Sequence, residues 1–282
     1  MVLYVIHNNG ESVAEKGFWD GWSGTVAVIL AAVLVFASIL AAMAVYAGTW
    51  PPLSVVESSS MQHDDDRSML GVIDTGDLVI VQVSDGEDVV TYVEGYQTGY
   101  SMFGDYGDVI IYRPQGDEDR KPIIHRAVMF LEPVGSDRWS APALAEYPDH
   151  LWSVDVGDHA GMRGTLELHG YGHASVLLEI DLDKMERVAG FITHGDNNHK
   201  DGIGYVDQMV LDEGKLVQKD WVMSRAAVEI PWIGSLSLLV RNVNVEQVPL
   251  NSIVATFVVI ATVIVAPLSI EYGLQRLRRG SD

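Results

Sequence analysis

The stretch GTVAVILAAVLVFASILAAMAVYAG occupies residues 24–48, and the chain carries no charged residue between Asp20 and Glu57. This run exceeds the roughly 20 apolar residues that a helix needs to cross the hydrocarbon core of a bilayer. Aromatic residues, which concentrate at membrane interfaces, flank it on both sides: Trp19, Trp22, Tyr46 and Trp50. We therefore predict a transmembrane helix over 24–48.

A cleaved export signal is the alternative interpretation of this segment. Ala42 and Ala44 form the Ala-x-Ala pattern of a cleavage site. However, the apolar run is longer than the apolar core of a signal peptide, which has about 7–15 residues. The flank before the run also carries only one cation, Lys16, against three acids. These features favour an anchor that is retained.

A second apolar segment, SIVATFVVIATVIVAPLSI, covers residues 252–270 and is followed by Arg276, Arg278 and Arg279. Arginines just beyond a span predict a cytoplasmic C-terminus, although a buried core helix is the alternative. Two spans would place the N-terminus on the same side. The predicted organisation is a cytoplasmic segment 1–23, a span 24–48, an extracytoplasmic β domain 49–248, a span 250–271 and a basic cytoplasmic tail 272–282.

The composition excludes several classes of partner and site. The chain has 39 acidic and 18 basic residues, for a formal net charge of -21. Such a charge repels phosphate backbones, so we predict no nucleic-acid partner. A dense carboxylate surface is typical of proteins that work in concentrated salt. The 282 residues include no cysteine, which excludes disulfides, zinc–cysteine sites and thiol nucleophiles.

The segment between the two apolar runs has the pattern of a β protein. Short β-branched runs are separated by Gly, Asp and Pro: LVIVQV at 78–83, VIIY at 109–112, SVLLEI at 175–180 and AAVEIPW at 226–232. Residues 133–174 are irregular and rich in Gly, Asp and His. We predict a mainly β fold with an insertion or small subdomain at about 133–174.

Motifs between the spans occur in a characteristic order: ESSSMQH (57–63), GVIDTGDLVIVQ (71–82), GDVIIYRP (107–114), IIHRAV (123–128) and THGDNNHKDGIG (193–204). This series, behind a membrane anchor, resembles the type I signal peptidases of the archaeal and endoplasmic-reticulum branch. With the acidic composition it looks like a salt-adapted archaeal member. The resemblance covers about 50–130 and 190–235. It implies a signal-peptidase-like β domain and a serine endopeptidase that removes signal peptides outside the membrane.

The same resemblance implies roles for individual residues. Ser60 matches the nucleophile and His125 the general base, for which an imidazole suits neutral pH because its ordinary pKa is about 6.5. The family pattern points to Asp201 as the third member, with Asp196 in a supporting position. Ser58 is expected to join the Ser60 backbone N–H in an oxyanion hole. No metal or other cofactor is expected.

The predicted partners are the signal peptides of secretory preproteins, the lipid bilayer and, as a candidate, the Sec translocon. About a dozen residues separate the first span from Ser60. Because an extended chain covers at most about 3.3–3.6 Å per residue, the serine must lie close to the membrane surface. We expect the peptide to bind extended along a free strand edge.

Two other functions fit the same sequence. His194, Asp196, His199 and Asp201 fall within eight positions, and all four are potential metal ligands. A metal-dependent membrane hydrolase is therefore one alternative, although the spacing matches no established metal motif. A non-catalytic, membrane-anchored binding module is the other.

Overall fold

The computed structural model describes the backbone of residues 18–279. It describes the side chains of residues 26, 27, 29–263 and 265. The predicted cytoplasmic N-terminal segment falls mostly on residues 1–17, which lie outside the described residues. The last three residues of the predicted basic tail, 280–282, lie outside them as well.

Helix α1 (Phe18–Ala47) forms where the first span was predicted. Its stretch Ile29–Ala47 is long and apolar enough to cross a membrane, by length and composition. Its place near the N-terminus is one that a signal sequence would share. The helix is confirmed, and the crossing of a bilayer stays a prediction.

Helix α5 (Leu250–Arg279) covers the second predicted span. The part that qualifies as apolar among the described side chains, Leu250–Val263, is shorter than a transmembrane segment needs to be. The second span is therefore not confirmed. Between these two helices lie three short ones: α2 (Tyr92–Thr98), α3 (Asp207–Val210) and α4 (Ser235–Arg241).

The rest of the described chain is mainly β, as predicted. The strands are β1 (Leu53–Val55), β2 (Leu78–Val83), β3 (Ser101–Met102), β4 (Asp105–Tyr106), β5 (Val109–Tyr112), β6 (Ile123–Val134), β7 (Arg138–Ser140), β8 (Trp152–Val156), β9 (Arg163–Tyr171), β10 (Val176–Asp181), β11 (Gly190–His194), β12 (His199–Lys200), β13 (Ile203–Tyr205) and β14 (Val222–Ile230).

The larger sheet has the order β1-β2-β14-β5-β6-β11, and β7 pairs with the far end of β6. Every pairing in it is antiparallel. Its central strand β5 has all four side chains buried. Val109 and Ile111 pack in one cluster, and Ile110 and Tyr112 in another. A strand covered on both faces is uniformly apolar, which explains the sequence VIIY.

The second sheet has the order β12-β13-β10-β9-β8, and a hairpin of β3 and β4 completes the fold. Residues 133–174 were expected to be irregular, yet they contain β7, β8 and β9. In β9, buried Leu166 and Leu168 alternate with the less buried Glu167. The largest core cluster joins these leucines to Met129 and Leu131 of β6. The region thus shares a core with the larger sheet.

Three carboxylates are withdrawn from solvent near the start of β2: Asp74 and Asp77 are buried, and Glu229 is partly buried. Asp77 accepts hydrogen bonds from the backbone N–H groups of Asp74 and Trp232, each at 2.8 Å. Glu229 accepts one from Gly71 at 2.7 Å. Burial is the main cause that raises the pKa of Asp74 to about 6 and those of Asp77 and Glu229 to about 7. In each case the folded state disfavours the ionised form.

We expect Glu229→Gln to stabilise the fold at pH 8 but not at pH 4. The folded pKa lies above the ordinary value of 4.5, so the stability cost of ionisation appears as pH rises from the unfolded pKa and is complete above the folded pKa. Allowing for the partial exposure of Glu229, the gain at pH 8 is about 1 kcal/mol. Thermal unfolding at both pH values measures it. Glu132→Gln, at an exposed position of β6, is the control; an equal shift in both variants would contradict the expectation.

Candidate active site

Ser60 lies in a turn that follows β1 and is anchored by its neighbours. Met61 is buried in the core with Val56 and Ile73. Gln62 is also buried, and its side-chain oxygen accepts a hydrogen bond from the Thr75 backbone N–H at 3.2 Å. Ser60 itself is only half-buried. The buried side chains of Met61 and Gln62 thus hold the turn in place and leave the Ser60 hydroxyl accessible.

His125 of β6 contacts the Ser60 hydroxyl. Its Nε2 lies 2.9 Å from Ser60 Oγ, within hydrogen-bond distance. The residue is 4% exposed, so the ring is fixed by the strand and by the groups around it. The structure therefore brings together the two residues that the sequence predicted as nucleophile and base, although they lie 65 positions apart.

Asp207 is the carboxylate that contacts His125. His125 Nδ1 lies 2.7 Å from Asp207 Oδ2, and the Tyr112 hydroxyl donates to the same oxygen at 2.9 Å. Asp207 is the first residue of α3 and is 1% exposed. Burial by itself raises the pKa of this carboxyl, but the charge and hydrogen bond of His125 outweigh it, so the pKa of Asp207 lies below its ordinary value.

Asp201 does not take the position that the sequence analysis gave it. It lies exposed in the turn that joins β12 to β13, with a φ of 53°, and Gly202 follows with a φ of 82°. The hairpin carries Asp201 outward, and the chain returns so that Asp207 faces His125. The dipeptide Asp-Gly is a strong signal for a hairpin turn. That signal, present in the sequence, would have placed Asp201 at a turn and pointed to a later acid.

Asp196 forms a buried ion pair with Arg126. Arg126 Nε donates to Asp196 Oδ1 at 2.9 Å and Nη2 to Oδ2 at 2.6 Å. His63 Nε2 lies 3.1 Å from the same Oδ2. Burial raises the pKa of Asp196, but the opposing effects of Arg126 and His63 are larger together and keep it well below its usual range. These contacts suit the supporting position expected for Asp196.

The turn that carries Asp196 also holds the Ser60 turn. The Asn197 backbone N–H donates to the Ser60 carbonyl at 2.8 Å, and its side chain donates to the Ser59 carbonyl at 3.1 Å. Gly195 passes so close that a Cβ there would lie 2.7 Å from both His125 Nε2 and the Ser60 carbonyl oxygen. Only glycine fits between the serine turn and the imidazole.

Ser58 lies beside Ser60. Its Oγ is 3.2 Å from Ser60 Oγ, and its side chain is exposed. Among the described residues, the Ser60 backbone N–H donates to no protein acceptor. Two donors are thus available near Ser60 Oγ for a developing negative charge, as an oxyanion hole requires.

A cleft of about 1440 Å³ extends from Ser60 and His125 to Trp50, just beyond the end of α1. Its floor is the face of the larger sheet that carries Val81 and Ile111. The volume exceeds that of a typical small-molecule pocket, about 300–1,000 Å³. An extended peptide segment is an occupant of suitable size.

Two unpaired strand edges line this cleft. The Val56 N–H donates to the Asp77 carbonyl, and the Val81 N–H donates to the Pro52 carbonyl, each at 3.0 Å. The backbone groups of even-numbered residues around β1 therefore point towards β2. The backbone groups of Leu53 and Val55 therefore point away from β2, since antiparallel ladders alternate. On the opposite wall, β11 ends where His194 pairs with Arg126. Residues 123–125 of β6 consequently pair on one side only, with β5.

The proposed metal ligands of the 194–201 segment do not converge. His194 Nδ1 lies 3.0 Å from the Tyr205 carbonyl oxygen, Asp196 pairs with Arg126, and Asp201 lies in the exposed turn. Across the described part of the chain, no group of three or more His, Asp or Glu side chains has a geometry that could hold a metal ion. The arrangement does not favour the metal-dependent alternative.

Comparison of the chain with models of known protein families finds no match, and comparison with curated proteins finds none either. The resemblance to signal peptidases therefore rests on the ordered motifs. The contacts between Ser60, His125 and Asp207 are an independent observation.

We expect Gly195→Ala to disrupt the site. The added methyl group would force apart His125 and the Ser60 turn, and such overpacking costs about 1–3 kcal/mol. The rate at which a fluorophosphonate labels Ser60 should fall at least about fivefold. Gly161→Ala is the control, because a Cβ there meets only the Arg138 side chain, at ordinary distances of 3.6 Å from Cδ and 3.9 Å from Nη1. Equal labelling rates for the two variants would contradict the geometry.

Proposed function

We propose that this chain is a membrane-anchored serine endopeptidase that removes N-terminal signal peptides from exported preproteins on the extracytoplasmic side of the membrane. The observation that carries the proposal is the hydrogen-bonded series Ser60–His125–Asp207, with distances of 2.9 and 2.7 Å. It meets the geometric requirement of a nucleophile, a base and a group that orients the base. The ordered motifs supply the substrate class.

The mechanism follows from these contacts. His125 Nε2 accepts the proton of Ser60 Oγ as the oxygen attacks the scissile carbonyl carbon. Asp207 holds the imidazole through Nδ1 and stabilises the imidazolium that forms. The proton then passes to the departing amine and leaves an acyl group on Ser60. Water, deprotonated by His125, releases the new carboxylate and restores the hydroxyl.

Substrate binding uses the two free strand edges. An extended peptide between β1 and the first residues of β6 would pair its backbone with the unpaired groups of Leu53, Val55 and residues 123–125. Backbone pairing gives affinity without regard to sequence, and alternate side chains enter the cleft. The family resemblance implies small residues at the first and third positions before the cut.

The position of the cleft suits a substrate that emerges from a membrane. The cleft reaches Trp50, and α1 ends at Ala47, so one end of the cleft lies beside the candidate span. In our proposal α1 crosses the bilayer, α5 forms a second span, and both termini are cytoplasmic. The Sec translocon is a candidate partner, because it delivers such peptides to the same surface.

Cleavage of a membrane-inserted preprotein at high salt tests the proposal. Ser60→Ala and His125→Ala should abolish cleavage, and Asp207→Asn should lower kcat by about 10⁴ because it removes the charge that stabilises the imidazolium. Asp201→Asn is the matched control and should cleave normally. A chelator should have no effect.

Three results would contradict the proposal or one of its assignments. Cleavage that persists in Ser60→Ala would exclude a serine mechanism and, with chelator sensitivity, favour a metal enzyme. A normal rate for Asp207→Asn together with loss in Asp201→Asn would return the third position to Asp201. Binding of the preprotein without cleavage by the unmodified chain would favour the non-catalytic module.

The oxyanion assignment for Ser58 has its own test. Removing one donor to an oxyanion lowers kcat by about 10²–10³, so we expect Ser58→Ala to show a loss of this size with little change in KM. Ser58→Thr retains a hydroxyl and should recover most of the rate. Unchanged turnover in Ser58→Ala would show that its hydroxyl does not serve the transition state.

A further inference from the structure

The connector between α4 and α5, residues 242–249, contacts the Ser60 turn directly. Within it, Asn244 Nδ2 donates to the Glu57 carbonyl oxygen at 2.7 Å. Gln247 Oε1 accepts a hydrogen bond from the Ser59 backbone N–H at 3.1 Å. These contacts span nearly 190 positions of sequence. They fall on the backbone immediately before the nucleophile.

Residues on both sides of the connector contact the segment 57–68, which contains Ser60. At the end of α4, Arg241 Nη1 lies 2.8 Å from the Glu57 carboxylate. In the first turn of α5, Asn251 accepts from the Ser68 N–H at 3.0 Å and donates to the Ser68 carbonyl at 2.9 Å. Trp232 Nε1 donates to the Ser68 hydroxyl at 3.1 Å. The 57–68 segment is thus fixed at both ends by the C-terminal part of the chain.

The contact made by Gln247 complements the one made by Asn197. Asn197 holds the carbonyl groups of Ser59 and Ser60 from one side. Gln247 holds the amide that joins Ser58 to Ser59 from the other. Rotation of that amide would turn both Ser58 Oγ and the free Ser60 N–H away from their present directions. The Ser60 turn therefore depends on an acceptor supplied at position 247.

We propose that Gln247 is a positioning residue for Ser60, through which the base of α5 sets the geometry of the nucleophile and of the oxyanion donors. This inference rests on the proposed function. It gives the C-terminal helix a part in the reaction beyond anchorage, because the connector that leads into the helix also holds the serine turn.

The test compares two substitutions of nearly equal size in the full-length chain. Gln247→Met removes the acceptor, whereas Gln247→Glu keeps an oxygen that can accept the Ser59 N–H. Since one hydrogen bond contributes about 1 kcal/mol, kcat should fall about fivefold in the methionine variant and stay near normal in the glutamate variant, with KM unchanged in both. Labelling of Ser60 by a fluorophosphonate should follow kcat. Gln218→Met, at a position that does not line the cleft, controls for the loss of a glutamine.

The outcomes separate this inference from the proposed function. If Ser60→Ala abolishes cleavage while Gln247→Met cleaves and labels normally, position 247 does not position the nucleophile. A loss in kcat that Gln247→Glu fails to recover, accompanied by a lower unfolding temperature in both variants, would indicate a structural role only and would also overturn the inference. If Ser60→Ala still cleaves, the proposed function itself fails.

Discussion

The ion pair between Arg126 and Asp196 is the interaction on which the arrangement of the site depends. Arg126 is fully buried, and its Nη1 donates to the carbonyl groups of Met102, Tyr106 and Gly107. Its other nitrogens hold both oxygens of Asp196. A buried pair with its hydrogen bonds complete is costly to break, about 3–5 kcal/mol, because the remaining charge has no partner.

That pair links β6 to the serine turn. His125 and Arg126 are consecutive, so they point to opposite faces of the strand: the imidazole towards the cleft and the guanidinium into the interior. Arg126 fixes the turn 195–198, and Asn197 in that turn fixes the Ser60 carbonyl. One strand therefore supplies His125 and, through Arg126, the support for the Ser60 turn. A shift of one residue in the pairing of β6 would move the imidazole to the interior face and the guanidinium to the cleft face.

The pairing of β6 is interrupted beside the site. The register with β11 shifts between Ile192 and Thr193, and such bulges redirect side chains near functional sites. Thr193 then lies against Gln208, whose side-chain oxygen accepts the Thr193 N–H at 3.0 Å. Since Gln208 follows Asp207 in α3, this contact ties the carboxylate that meets His125 to the same strand. These contacts explain how His125 and Asp207, which are far apart in the sequence, come together.

Much of this could be predicted from the sequence, for reasons that also explain the failures. The uniformly apolar β5 and the run LVIVQV of β2 were recognisable because burial dictates their composition. In β8 and β9, polar and glycine residues obscured the alternation. The ordered motifs pointed to Ser60 and His125, which the structure brings into contact. The Asp-Gly signal in the sequence places Asp201 at a turn, but which later acid meets His125 depends on where the chain returns after the hairpin. The buried role of Arg126 depends on long-range contacts that local sequence does not determine.

Two neighbouring acids near His125 have pKa values shifted in opposite directions. Asp212 lies close to Asp207, and the Tyr112 hydroxyl approaches both, at 3.4 and 2.9 Å. Burial and then the charge of Asp207 raise the pKa of Asp212 to about 6, while contact with His125 keeps that of Asp207 low. The fold thus raises the pKa of Asp212 and lowers that of Asp207, so Asp207 keeps its charge to a lower pH than Asp212 does. Asp207 Oδ2 contacts His125 Nδ1 at 2.7 Å and so orients the imidazole towards Ser60. In a chain with a net charge of -21, the site places His125 against the acid whose ionised form the fold favours.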